Sequence, residues 1–159
     1  MLEAHGIQRV VDIRTIPRSR FNPQFNTDTL RESLSAAGID YVWMKELGGL
    51  RHAKKDSINT GWKNASFRGY ADYMQTPEFA EGMASLIKLA SEKKTAIMCA
   101  EAVPWRCHRS LVADALAARG VEVRSILSAT RAQPHAITSF ARVSGTDVTY
   151  PGQGNLALG

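Results

Sequence analysis

The chain has 159 residues, enough for one domain with a full core of its own. Its 44% apolar and 22% charged content is that of an ordinary globular protein. No apolar run approaches the ~18 residues of a membrane span, and no secretory leader is visible, so a cytoplasmic protein is expected. The net charge of +5 permits a polyanionic partner without requiring one, because basic residues are spread along the chain.

Met1 to Gly6 reads as the last turns of a helix stopped by Gly6, so the domain is expected to start upstream. Arg9 to Arg14 is the first strand, with Val10, Val11 and Ile13 as its body. Asp12 and Arg14 share one face near its carboxyl end. Asp12 is read either as a site residue or as a buried acid paired with Arg14. The loop that follows carries Arg18, Arg20, Asn22 and Gln24 between prolines. Such a loop suits anion recognition, and it suits a proline-stiffened surface connection as well.

Asn26-Thr27-Asp28 caps a helix bearing Leu30, Leu34 and Ala37, which Gly38 ends. Tyr41 to Met44 is the next strand. It leads into Glu46-Leu47-Gly48-Gly49, whose paired glycines allow a tight turn and close backbone approach. Neither a dinucleotide fingerprint nor a P-loop is present. His52 to Lys63 is polar and is expected to be a mobile surface loop over the site. Phe67 to Met74 opens a short helix. Thr76 and Pro77 then start another, with Phe79, Met83, Leu86 and Ala90 on its buried face.

Ala96 to Cys99 is a short apolar run of the kind found in central strands. From Cys107 onward Leu111, Val112, Ala115, Leu116 and Ala118 recur at helical spacing up to Gly120. Between strand and helix lie Cys99, Glu101, Arg106, Cys107, His108 and Arg109, more reactive chemistry than a core needs. The first N–H groups of a helix carry partial positive charge, so this junction would hold an anion and lower the pKa of the Cys107 thiol. The blander readings are a packed Cys99, an inert Cys107, a surface His108 and a decorative Arg109. The two cysteines, eight apart, do not resemble a disulfide framework, so a reducing setting is expected.

Val121 to Leu127 reads as a further strand, and 128–151 as a segment docked on the body. The alternation of strands and helices predicts an α/β fold: a mostly parallel sheet with helices on both faces, Rossmann-like and three-layered. One domain is expected over 1–151, with a flexible tail at 152–159.

Val11-Asp-Ile-Arg14 with Pro17, Ser19 and Asn22-Pro-Gln-Phe25 resembles the family called domain of unknown function 488. So do Glu46-Leu-Gly-Gly49, Phe67-Arg-Gly-Tyr70 and, above all, Cys99-Ala-Glu101 followed by Cys107-His-Arg109. The resemblance covers about residues 5 to 151. It implies a pocket formed by Asp12, Arg14, Arg18, Asn22, Glu46, Tyr70, Cys99, Glu101, Cys107, His108 and Arg109. It also implies an upstream strand of the type Tyr-Thr-Ile-Gly-His-Ser, which this chain lacks. It implies no activity.

Three functions compete. The first is an enzyme acting on a phosphorylated or nucleic-acid-derived substrate. Cys107, His108, Glu101 and Asp12 would be catalytic, and Arg14, Arg18, Asn22, Glu46, Tyr70 and Arg109 would bind substrate. A cysteine phosphatase is disfavoured: Cys99 and Arg106 enclose six residues rather than five, without glycine, and Pro104 removes an N–H. The second is an iron or zinc site on Cys99, Glu101, Cys107 and His108, which combine soft and hard ligands but lack CxxC or HxxxH spacing. The third is a non-catalytic nucleic-acid-binding module using Trp62, Trp105, Tyr70 and the arginines. The residues specify no cofactor and no oligomeric state.

Overall fold

The computed structural model describes residues 2–14, 27–49, 51–99 and 108–152. Three short strands form a parallel sheet: β1 (Arg9–Asp12), β2 (Asp40–Trp43) and β3 (Thr95–Met98), in the order β2-β1-β3. The register places Val11 between Val42 and Ile97, and Asp12 between Trp43 and Met98. The three carboxyl ends are therefore level.

Side-chain alternation along the strands divides the interior in two. Val10 points to one face, where it joins Ile7, Ile39 and the Leu30 and Leu34 pair of α1 (Thr27–Ala36). Val11 and Ile13 point to the other. There they meet Phe79, Met83 and Leu86 of α3 (Pro77–Glu92), and Leu111, Val112, Ala115 and Leu116 of α4 (Arg109–Ala118). Between β2 and α3 lies α2 (Ala65–Tyr73). Burying a side chain such as Phe79 or Leu86 stabilises by roughly 1.5–3 kcal/mol each.

Local chemistry sets the helix ends. The Asn64 side chain accepts from the N–H groups of Ser66 at 2.8 Å and Phe67 at 3.2 Å. Thr76 Oγ1 accepts from the Phe79 N–H at 3.3 Å, with Pro77 in the first turn where its missing N–H costs nothing. Gly38, at φ 76°, ends α1 in the left-handed conformation that glycine adopts freely.

Residues 2–6 form a 3-10 turn, Glu3–His5, closed by Gly6 in the left-handed conformation. Two expectations are corrected. The strand expected at 121–127 does not extend the parallel sheet. It is β4 (Arg124–Ser128), paired antiparallel with β5 (Arg131–Pro134) in a separate two-stranded sheet. The cause is composition. An inner parallel strand is apolar on both faces, whereas Arg124, Ser125 and Ser128 leave β4 half exposed, which suits a hairpin.

The second correction concerns 52–63, which is a fastened loop rather than a loose cover. Buried Asp72 of α2 accepts from Lys54 N at 2.8 Å, Ser57 Oγ at 2.6 Å and Asn59 Nδ2 at 2.8 Å. The chain ends in a second hairpin, β6 (Arg142–Ser144) and β7 (Asp147–Thr149), followed by buried Tyr150. The architecture is mixed α/β. No helix among the described residues is long and apolar enough to cross a membrane.

Candidate functional site at the carboxyl edge of the sheet

The strand order reverses at β1. The chain leaves β1 through α1 on one face to reach β2, and it leaves β3 toward α4 on the opposite face. In open α/β sheets the crevice at such a reversal, outside the carboxyl ends of the strands, is where ligands bind. Asp12 and Arg14 stand at this edge on the α1 side, and His108 on the α4 side.

Asp12 is fully buried, and both its carboxylate oxygens are engaged. Oδ1 accepts from Arg14 N at 3.0 Å and Arg14 Nε at 2.9 Å; Oδ2 accepts from Arg14 Nη2 at 2.7 Å and from the Tyr41 hydroxyl. The pairing is near-bidentate, and Arg14 is itself only 5% exposed. Trp43 donates its indole N–H to Arg14 O at 2.8 Å, fixing the turn out of β1. Of the two readings of Asp12, the buried acid paired with Arg14 describes this geometry.

His108 precedes α4, and its imidazole is wedged between the end of β1, Tyr70 and Gly49. Nε2 lies 3.1 Å from Ile13 O at the end of β1. Its ring stands 4.9 Å from that of Tyr70, centroid to centroid. Gly49 backs onto it so closely that a Cβ at residue 49 would be 2.6 Å from Nδ1. Burial pushes the pKa of His108 below its ordinary value. The carbonyls of Ile13 and Leu47 favour the charged form, while Arg109 and Arg51 disfavour it further.

The turn that carries Gly49 is braced from α2. Tyr70 is fully buried and donates to Leu47 O at 2.9 Å; Tyr73 donates to Glu46 O at 2.6 Å. Arg51 stacks over the Tyr73 ring at 3.6 Å and donates to Gly48 O at 3.2 Å. Gly69 leaves room for residues 51–53 to cross α2: a Cβ there would lie 2.8 Å from Ala53 N. The Glu-Leu-Gly-Gly and Phe-Arg-Gly-Tyr motifs are thus two halves of one packed wall, with His108 between them.

Residues 1–116 match the family described as Domain of unknown function DUF488. The chain belongs to this family. No curated protein and no solved structure matches it.

The described DUF488 motif residues fall into two groups in space. Asp12 and Arg14 form the ion pair on the α1 side. Gly49, Tyr70 and His108 form the wall on the α4 side, with Arg109 opening α4 beside them. The Glu46 side chain is exposed, and only its backbone carbonyl joins the wall. Tyr70 meets His108 rather than solvent. Arg18, Asn22, Glu101 and Cys107 lie outside the described residues, as do Arg20, Trp105, Arg106 and the tail beyond Gly152.

Cys99, partly buried against the main core, is disulfide-bonded, which corrects the reading of unpaired thiols. The chain has one other cysteine, Cys107. A single bridge leaves no spacing pattern for sequence to reveal. A bridged sulfur is not a thiolate and the chain has no free cysteine, so the alternative metal set of Cys99, Glu101, Cys107 and His108 lacks both its thiolates in this state. Among the described residues no three His, Cys, Asp or Glu side chains gather as a metal-ligand set.

A second polar network escaped the sequence reading. Asp114, fully buried in α4 inside the DUF488 segment, accepts from the Tyr150 hydroxyl at 2.7 Å and the Thr138 N–H at 3.0 Å, and its Oδ1 lies 2.7 Å from His135 Nε2. Tyr150 N donates to Asn59 Oδ1 at 2.9 Å, which links this network to the fastened loop. The signal was present: an aspartate flanked by apolar residues in Leu-Val-Ala-Asp-Ala-Leu must find partners once buried.

Proposed function

We propose that the crevice between the ends of β1 and β3 binds a phosphorylated or nucleic-acid-derived anion and acts on it as an enzyme. The observation that carries this reading is the reversal of strand order at β1, with His108 fixed to Ile13 so that the amino end of α4 stands over the crevice. Arg109 and the first N–H groups of α4 supply positive charge, and Arg14, neutralised by Asp12, supplies shape and direction.

His108 and Tyr70 act as positioning residues that hold the start of α4 against the sheet. Glu101 is the general acid or base, and Cys107 supplies the thiolate nucleophile once the chain's disulfide has been reduced by an external thiol. Arg18 and Asn22 complete the anion contacts from the loop after β1. The finer architecture this assumes is a Rossmann-like three-layer sandwich.

The test is calorimetric titration of inorganic phosphate and 5′-nucleoside monophosphates into the wild type and Arg109→Ala. A charge-assisted hydrogen bond contributes about 1.5–3 kcal/mol, so the variant should bind at least roughly tenfold more weakly while its circular dichroism is unchanged. Equal affinity in the two proteins would remove Arg109 from the site and the reading with it.

A further inference from the structure

The fastened loop beside the crevice has a property that the anion reading does not use. Residues 51–68 hold Arg51, Lys54, Lys55, Lys63 and Arg68 against Asp56, five positive charges less one negative, or +4 of the chain's net +5. The basic charge is therefore concentrated, although basic residues occur throughout the sequence. Lys54, Lys55 and Lys63 are exposed, as is His52.

Both limbs of this loop are tied to one face of α2. Asp72 accepts the Lys54 N–H, and Arg68 donates to Trp62 O and Lys63 O, each at 3.1 Å. The Lys63 limb is therefore fixed just before the first turn of α2 and the Lys54 limb near its last turn, so the lysines are spread along one side of the helix with Lys55 next to Lys54. Ser57 and Asn59 bind the same Asp72, so the loop is ordered before any partner arrives. Ordered cations lose less entropy on binding than free lysines on a slack loop.

Arg51, at the root of the loop, donates its backbone N–H to Gly49 O at 3.1 Å, and Gly49 backs onto His108, so the ridge starts beside the carboxyl edge of the sheet. Asp56, the exposed Glu46 and the buried Asp72 that anchors the loop are the acids along it, three against five cations.

We propose that this ridge is a docking surface for the phosphodiester backbone of a nucleic acid, with Lys54, Lys55 and Lys63 each neutralising a phosphate. The proposal is independent of what the crevice does. Recognition here is through charge and is indifferent to base sequence.

The experiment is fluorescence anisotropy with a labelled 20-nucleotide single strand, titrated across a range of salt concentrations. The wild type, K54A/K55A/K63A and R109A are compared, with phosphatidylserine vesicles as a second polyanion. Each released phosphate contact contributes about 0.7 to the slope of log affinity against log salt for a single strand. The triple variant should therefore lose about 2 from that slope and roughly tenfold or more in affinity, with its melting temperature unchanged. R109A should keep the wild-type slope even if it loses small anions, which separates the ridge from the crevice. An unaltered slope in the triple variant overturns the proposal. Binding of vesicles but not of the oligonucleotide by the wild type overturns it too.

Discussion

Gly49 and His108 pack backbone against ring: a Cβ on residue 49 would lie 2.6 Å from Nδ1, 2.9 Å from Cε1 and 3.0 Å from Cγ. The imidazole cannot simply retreat. Its far nitrogen is held at Ile13 O, and its ring packs at a tilt against Tyr70. The second glycine of the Glu-Leu-Gly-Gly turn is therefore required by the histidine of Cys-His-Arg, although the two motifs are 59 residues apart in the chain.

Gly49→Ala should destabilise the fold by about 1–3 kcal/mol, the ordinary cost of overpacking. Urea denaturation with an unchanged m-value is the measurement. Gly82→Ala is the control. Its Cβ would meet side-chain atoms of Leu47 and Glu46 at 3.1 and 3.2 Å, milder contacts than those at Gly49, and alanine's better helix propensity partly offsets them. A Gly49 variant as stable as the Gly82 variant would mean that His108 is free to move.

The same wedge predicts a pH dependence. Burial holds the folded pKa of His108 below its unfolded value, so the neutral ring is the one the fold prefers. Above the unfolded value, about 6.5, both states carry the neutral ring and stability is unaffected. As pH falls through that value, the unfolded chain takes up a proton that the folded ring refuses, and stability declines. Between pH 7.5 and 5.5 the wild type should lose more stability than His108→Gln, which cannot titrate yet can still donate to Ile13 O. Parallel losses in the two proteins would show that His108 does not titrate in this range.

Much of this wall was legible in the sequence, because its ingredients are local. Period-two alternation put Asp12 and Arg14 on one face, and the structure joins them as an ion pair. Thr76-Pro77 announced α3, and Gly38 the end of α1. What sequence concealed is long-range. Nothing near Asp72 shows that it will gather Lys54, Ser57 and Asn59, so 52–63 read as slack. The apolar letters Val121, Val123, Ile126 and Leu127 resemble an inner strand. Only the separate burial of Val121 and Val123 against the main core, and of Ile126 against the smaller one, shows the chain leaving the sheet. Arg51 went unremarked because its role depends on Tyr73, which lies on another element.

The Asp114 network bears on where the folding unit ends. The family match stops at residue 116, yet the buried carboxylate of Asp114 is satisfied by His135, Thr138 and Tyr150, all beyond it. Burial raises the pKa of the Tyr150 phenol, and Asp114 beside it raises it further, so the hydroxyl remains a donor at physiological pH. Tyr150→Phe removes one of the partners and leaves the ring in the cluster with Trp62 and Phe140, so it should cost about 1 kcal/mol. A chain ending at Ser128 removes all three partners and strips Val148 and Tyr150 from the core. A buried carboxylate with no partner costs several kcal/mol, comparable to the whole stability of a small domain. That shortened chain should therefore lose near-ultraviolet circular dichroism and cooperative thermal unfolding, while Tyr150→Phe retains both. Cooperative unfolding of the shortened chain would mean that Asp114 finds other partners, and that the segment after β4 is an appendage rather than part of the core.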